Sequence, residues 1–80
     1  MKLDYTPKFN KDLKQFPKDL RNKFYKQASF LLRDIRHPSL HAKKYEGSIG
    51  LWQGRVDKGV RFYFLIEKDI YVLTNIRYHN

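Results

Sequence analysis

The sequence contains no cysteine, few glycine and proline residues and no long hydrophobic run. The absence of cysteine excludes a disulfide framework, a thiolate zinc site and a cysteine nucleophile. The longest apolar stretch, residues 60–66, is interrupted by Arg61 and is far too short to cross a membrane. No apolar segment follows Lys2, so the sequence shows no signal peptide and we expect a cytoplasmic protein.

Acidic side chains are also scarce. Only 8 Asp and Glu residues stand against 17 Lys and Arg residues, which gives a net charge of +9. Hydrophobic residues nevertheless make up 41% of the chain and aromatic residues 16%, which excludes a disordered basic tail. We expect residues 1–80 to form one small domain that buries about 60% of its unfolded surface. A domain of this size favours a functional site on an open surface over one in a deep cleft.

The first half of the chain predicts two helices joined with almost no loop. Thr6 and Pro7 are typical of an N-cap and a first helical position. Pro17 divides the helices, the second begins at Lys18, and Pro38 stops it. Apolar residues recur every three or four positions on one face of each helix: Phe9, Leu13 and Phe16 in the first, and Leu20, Phe24, Ala28, Leu31, Leu32 and Ile35 in the second.

The second half changes to the two-residue period of strands. Residues 37–50 are polar and contain glycine, so they predict a loop. Three predicted strands follow, separated by short turns: 51–56, 60–66 and 70–78. Residues 2–5 predict a further short strand before the helices. The order β-α-α-β-β-β predicts an α+β fold in which a helical hairpin packs on a small antiparallel meander.

Alternation along the strands sorts their side chains onto two faces. The simplest arrangement turns the even-numbered residues toward the helices: Trp52, Gly54, Val56, Val60, Phe62, Phe64, Ile66, Ile70, Val72, Thr74 and Ile76. Arg55, Arg61, Arg77 and His79 then fall together on the uncovered face. A bulge at either of two strand glycines would break this register.

Three arginines and a histidine on one open face suggest a site for a phosphate group. Arginine offers two coplanar donors to phosphate oxygens, and histidine exchanges a proton near neutral pH. Lys43 and Lys44, in the preceding loop, add positive charge nearby. The acidic residues are scattered and the histidines lack a tight ligand spacing, so no metal site is predicted. From the residues alone, each of these groups could equally be a solvated surface side chain, and RNA binding with or without cleavage remains open.

The pattern of the second half resembles the RelE/ParE superfamily of toxins from toxin–antitoxin systems. The resemblance rests on Gly50-Leu51-Trp52, Arg55-Val56, Val60 to Phe64, Ile70 to Ile76 and the closing Arg77-Tyr78-His79. It extends over essentially the whole chain, and the closing motif is most similar to the YoeB branch. It implies a ribosome-dependent endoribonuclease that cuts mRNA in the A site by attack of a 2′-hydroxyl, without a cofactor. It also implies an acidic antitoxin as partner and the ribosome and mRNA as targets. A homodimer stays open as a further partner.

The resemblance assigns roles to individual residues. Arg61 corresponds to an arginine that holds the scissile phosphate, and His79 to a general acid. Arg77 and Arg55 correspond to positions that bind or stabilise the phosphate. Two further positions, Lys43 and Lys44, fall in a loop where related toxins carry catalytic or RNA-binding lysines.

Two positions depart from the YoeB pattern. Asn80 stands where that pattern has a tyrosine, and the loop glutamate that serves there as general base has no clear counterpart. His41 lies closer to the expected place than Glu46, so His41 is the first candidate base and Glu46 the second. Two other functions stay open: inhibition of DNA gyrase by a ParE-like toxin without RNA chemistry, and binding of RNA or the ribosome without catalysis.

Overall fold

A computed structural model describes residues 1–47 and 49–79, with Glu46 described by its backbone alone. Ser48 and Asn80 lie outside the described residues. The chain forms two helices and five strands, in the order β1 (Lys2–Tyr5), α1 (Pro7–Lys14), α2 (Lys18–Arg33), a 3₁₀ helix (Pro38–Leu40), β2 (Lys43–Glu46), β3 (Leu51–Asp57), β4 (Val60–Glu67) and β5 (Ile70–Tyr78). The α+β class and the helical hairpin on a sheet are therefore confirmed.

Local sequence signals set the start of the helical hairpin, which we define as residues 7–33. The Thr6 hydroxyl accepts a hydrogen bond from the Phe9 amide at 3.2 Å, and Pro7 occupies the first helical position. The same hydroxyl donates to the Leu73 carbonyl at 2.7 Å, which ties the cap to β5. The second helix ends at Arg33, before the predicted stop at Pro38, and a turn fills the interval. No helix in the described part of the chain is long and apolar enough to cross a membrane.

The sheet has the strand order β1-β5-β4-β3-β2. The three strands β3, β4 and β5 form the predicted antiparallel meander, and β1 pairs in parallel with β5. The prediction that residues 37–50 form only a loop was wrong, because residues 43–46 add a fifth, antiparallel edge strand beside β3. This strand has the sequence Lys-Lys-Tyr-Glu and so shows no apolar alternation, which is why period alone could not reveal it.

The helical hairpin covers one face of the sheet and encloses an aromatic core. The largest fully buried apolar side chains on that face include Phe9, Phe24, Phe62 and Phe64. The rings of Phe24 and Phe62 meet edge to face at 5.4 Å between centroids, which joins α2 to β4. A Cβ atom built at Gly54 would lie 2.5 Å from the Phe62 ring, so glycine is required for this close packing.

The predicted face assignment holds for β4 but fails for the first half of β5. Tyr71 and Leu73 are buried in the core, whereas alternation had assigned Ile70, Val72 and Thr74 to that face. The reason is a bulge at Thr74, where the pairing shifts by one residue between Tyr63 and Phe64 of β4. The Thr74 hydroxyl donates to the Tyr63 carbonyl at 3.1 Å within this bulge, and beyond it Ile76 returns to the core.

Candidate active site

Three arginines lie side by side on the face of the sheet opposite the helices. Arg55 pairs with Arg61 across β3 and β4, and Arg61 pairs with Arg77 across β4 and β5. We call these three residues the arginine row. Because directly paired residues share a face, the sheet brings together side chains that are 22 positions apart in sequence between the first and the last.

An open groove of about 480 Å³ lies at one end of this face. We call it the open-face groove, and its lining combines histidine, arginine and lysine: His41, Ala42, Lys43, Gln53, Arg55, Arg61 and His79. Five of the eight candidate residues from the sequence therefore meet in one place.

The two histidines reach the groove from distant points of the chain, its middle and its C-terminal end. His41 ends the 3₁₀ helix in a left-handed backbone conformation, with φ of 46°, which turns the chain into β2. His79 follows β5, and its amide donates to the Gly59 carbonyl at 2.8 Å in the turn between β3 and β4. Both histidines are exposed to solvent, so their rings are accessible to a substrate in the groove.

One terminal nitrogen of Arg61 holds its guanidinium in place. Its Nη1 donates to the carbonyls of Asp57 and Lys58 at 2.7 and 3.2 Å and to its own neighbour Val60 at 3.1 Å. These bonds fix the guanidinium against the β3–β4 turn but use one terminal nitrogen. A guanidinium carries five N–H donors, so the remaining ones are available to an anion in the groove.

Arg55 contributes a buried donor without an acceptor. Its Nε is inaccessible to solvent and has no hydrogen-bond partner among the described residues. An unsatisfied buried N–H costs free energy, and a donor on a cation is costlier still. Arg55 also lines the groove, so its guanidinium contributes positive charge there.

Arg77 belongs to the arginine row but not to the groove. Its guanidinium lies 4.7 Å from the centre of the Tyr63 ring, and its Nη2 donates to the Tyr45 hydroxyl at 3.5 Å. The neighbouring Tyr63 phenol, followed by that of Tyr45, raises the pKa of Arg77 above its ordinary value. The residue also lines a separate 370 Å³ cavity beside Phe16.

Lys44, one of the other two candidate residues, does not line the groove. Lys44 pairs with Trp52, whose ring stacks on Phe64, so its side chain emerges on the helix-covered side of the sheet. Glu46 ends β2, and its side chain lies outside the described residues.

Sequence reasoning missed a buried polar pair beneath the open face. The Nε2 of Gln53 donates to the Tyr63 hydroxyl at 3.1 Å, and both residues are more than nine-tenths buried. Tyr45 shields this pair by meeting the Tyr63 ring edge to face at 5.0 Å. Alternation does assign Gln53 and Tyr63 to the arginine face, which was the signal for their position.

The groove is positively charged and lacks acidic groups among its described residues. In the described part of the chain, ion pairs join Lys8 to Asp12 at 2.7 Å and Lys23 to Asp57 at 3.5 Å, and neither lies in the groove. The described residues contain no cluster of His, Asp or Glu side chains that could hold a metal ion. The arrangement suits an anionic ligand and offers imidazoles for proton transfer.

No family model matches the chain, and no curated protein matches its sequence. Solved structures do match over its full length. A YoeB/ParE toxin from Agrobacterium tumefaciens superposes with a TM-score of 0.82 at 17% identity, covering 100% of both chains. The YoeB dimer from Staphylococcus aureus gives 0.82 at 15% identity, over 100% of this chain and 98% of that one.

Toxins solved together with antitoxins also match. The RelE–RelB complex from Pyrococcus horikoshii gives a TM-score of 0.80 at 15% identity, covering 96% of this chain and 92% of the toxin. The fold predicted from the RelE/ParE resemblance, with YoeB among its examples, is thereby confirmed.

Proposed function

We propose that this chain, which has the fold of the RelE and YoeB toxins, is the toxin of a type II toxin–antitoxin system and cleaves mRNA on the ribosome. The observation that carries the proposal is the open-face groove, which joins His41 and His79 to Arg55 and Arg61 with no carboxylate among its described residues. A groove of this kind fits an RNA phosphate flanked by a proton acceptor and a proton donor.

The proposed reaction is an internal transesterification. His41 removes the proton from a ribose 2′-hydroxyl, whose oxygen forms a bond to the adjacent phosphorus. The bond from phosphorus to the 5′ oxygen breaks, and His79 gives that oxygen a proton. Arg55 and Arg61 stabilise the additional negative charge that develops on the phosphate in the transition state. The products are a cyclic phosphate and a 5′-hydroxyl end.

Arg77 and two lysines contribute at the edge of this site. The Arg77 cation, held over Tyr63, adds positive potential beside the groove without entering it. Lys43 lies in the groove lining and contacts the RNA backbone. Lys44, on the far side of β2, belongs to the surrounding binding surface. Glu46 is the alternative base, and it takes that role if His41 proves dispensable.

The proposed partners follow from the distribution of charge. Residues 1–36 carry 10 basic and 4 acidic side chains, so most of the excess lies on the helical hairpin and its flanks. This positive field attracts the acidic surface of the ribosome. When the protein is not bound to a ribosome, the same field attracts an acidic antitoxin in the cytoplasm. Similar toxins have been solved as a YoeB–YefM complex and a RelE–RelB complex, which supports an antitoxin partner. The YoeB dimer supports a second copy as a further partner.

Inhibition of DNA gyrase is the second candidate function. It is favoured by one observation, the structural match to a protein described as both YoeB and ParE. A gyrase inhibitor has no need of the two groove histidines, so replacement of His79 would leave its toxicity unchanged.

The proposal is tested by translating a reporter mRNA in vitro with the purified protein and mapping new 5′ ends. We expect cuts in register with codons, only when ribosomes are translating, and 5′-hydroxyl ends. A His41→Ala/His79→Ala variant is the matched control and should leave the mRNA intact. Absence of cuts at saturating protein would overturn the proposal, and a parallel supercoiling assay would then distinguish gyrase inhibition from simple ribosome binding.

A further inference from the structure

A buried glutamine in α2 connects two segments that line or adjoin the open-face groove, the 3₁₀ helix before His41 and strand β3. Gln27 is only 6% exposed, although glutamine is usually a surface residue. Its Nε2 donates to the Ser39 carbonyl at 3.0 Å and to the Arg55 carbonyl at 2.8 Å. Its Oε1 accepts from the Ser39 hydroxyl at 3.2 Å. One amide therefore makes three hydrogen bonds to two separate elements.

Both carbonyls lie where regular secondary structure is interrupted. Ser39 belongs to a three-residue 3₁₀ helix, whose carbonyls have few partners of their own. Arg55 directly precedes Val56, the extra residue of a bulge in the pairing of β3 with β4. Because both acceptors are carbonyl oxygens, they need a group with at least two N–H donors, and the NH₂ group of Gln27 supplies both.

The contacts of Gln27 lie next to groove residues in the chain. Ser39 is two positions before His41, and Arg55 carries the guanidinium with the unsatisfied Nε. Ser39 is held from its other side as well, since its amide donates to Nδ1 of His37 at 3.2 Å. The His37 ring stacks on Phe30 of α2 at 3.8 Å between ring centres, so the 3₁₀ helix is fastened to α2 twice.

We propose that Gln27 is a positioning residue that sets the distance between His41 and Arg55 across the groove. The proposal rests on the proposed function, because it concerns the geometry of that same site. Gln27 does not line the groove, so it touches no substrate and acts only through Ser39 and Arg55. A displacement of a catalytic group by about 1 Å lowers a rate by roughly a hundredfold, so a single buried amide can control the reaction.

The test compares Gln27→Met, which keeps the volume but removes all three hydrogen bonds, with Gln15→Met, the same change at an exposed position. We expect Gln27→Met to lower the single-turnover cleavage rate per folded molecule by about 10- to 100-fold. The substrate concentration at half-saturation should stay within about threefold, because the arginines still hold the phosphate. Gln15→Met should match the wild type in both quantities.

A second measurement makes no use of cleavage. Backbone ¹⁵N relaxation should show increased motion at residues 41–43 in Gln27→Met and unchanged motion in Gln15→Met. A glutamine needed only for stability would lower the melting temperature without either effect, and that result would overturn the proposal. If the wild type cleaves no RNA, the proposed function fails, while the relaxation data still decide the role of Gln27.

A milder variant covers the case in which Gln27→Met fails to fold. Ser39→Ala removes only the bond to Oε1 and the side-chain contact with His37, and leaves the two carbonyl bonds in place. We expect the same two signatures at smaller size, with a rate loss of about threefold. Unchanged rate and unchanged motion at residues 41–43 in a folded Ser39→Ala protein would contradict the proposal.

Discussion

The two faces of the sheet carry different kinds of side chain. The helix-covered face is filled by aromatic rings such as Phe62 and Phe64, which lie in the same core as the rings of the helices. The opposite face carries the arginine row and a groove whose described lining contains no acidic side chain. Apolar burial stabilises the first face, whereas the second keeps cations together without paired carboxylates. The two sides of one small sheet therefore divide the apolar core from the proposed site.

This separation is possible because alternate residues of a strand point to opposite sides. Phe62 and Arg61 are neighbours in the chain, yet one closes the core and the other reaches the groove. A substitution on one face should therefore change stability with little effect on cleavage per folded molecule, and a substitution on the other should do the reverse.

The largest effect is expected on the covered face. Phe62→Ala should lower the free energy of unfolding by about 3–5 kcal/mol, because it removes a fully buried ring from contact with Phe24. Chemical denaturation measures the loss. Cleavage per folded molecule should stay near the wild-type rate. A loss of activity larger than the loss of folded protein would contradict the idea that the two faces act independently.

The next effect belongs to the groove. His79→Ala and Arg61→Ala should each lower single-turnover cleavage by at least about a hundredfold, which corresponds to about 2.7 kcal/mol of transition-state stabilisation. Lys11→Ala, a charge removal on the exposed surface of α1, is the control. Rates like the wild type in both groove variants would contradict the assignment of the site.

A smaller change sharpens the description of the core. Gly54→Ala should cost about 1–3 kcal/mol, because the new methyl group would lie 2.5 Å from the Phe62 ring. Gly59→Ala is the matched control, since a Cβ atom there meets nothing within 4 Å. Equal stability of the two variants in thermal denaturation would show that the Phe62 ring can move aside.

The smallest effect is expected where the two layers are joined by an ion pair. Lys23 of α2 lies 3.5 Å from the Asp57 carboxylate, beside the turn that anchors Arg61. Lys23→Ala should cost about 0.2–1 kcal/mol, because the pair is exposed and screened by solvent. A double-mutant cycle with Asp57→Ala isolates the pair, and a coupling above about 1 kcal/mol would show that this contact does more than join two surfaces.

Much of the fold could be predicted because its signals are local. The Thr6-Pro7 cap, the helical apolar spacing and the short turns defined both helices and three strands. The edge strand β2 could not be predicted, since it is four residues long and has a single aromatic residue among charged ones. The bulge at Thr74 also left no trace in the sequence, because a bulge depends on how a strand pairs and not on its composition.

The candidate site was also predictable only in part. Strand alternation placed Arg55, Arg61 and Arg77 on one face, which the strand register bears out. The same reasoning could not show that the Arg77 guanidinium turns onto Tyr63, because stacking depends on side-chain rotamers. The burial of Gln27 could not be predicted, because its amide bonds to two backbone carbonyls that come together only once the chain is folded.

In the proposed mechanism, His41 and His79 act as base and acid on an RNA phosphate in the open-face groove. The most direct measurement is the pH dependence of single-turnover mRNA cleavage on the ribosome, for the wild type and for His41→Ala and His79→Ala. The base must be unprotonated and the acid protonated for cleavage, so a bell-shaped profile is expected for the wild type. His41→Ala should lose the acidic limb and His79→Ala the alkaline limb. A flat profile in the wild type, or a bell retained in both variants, would contradict the account.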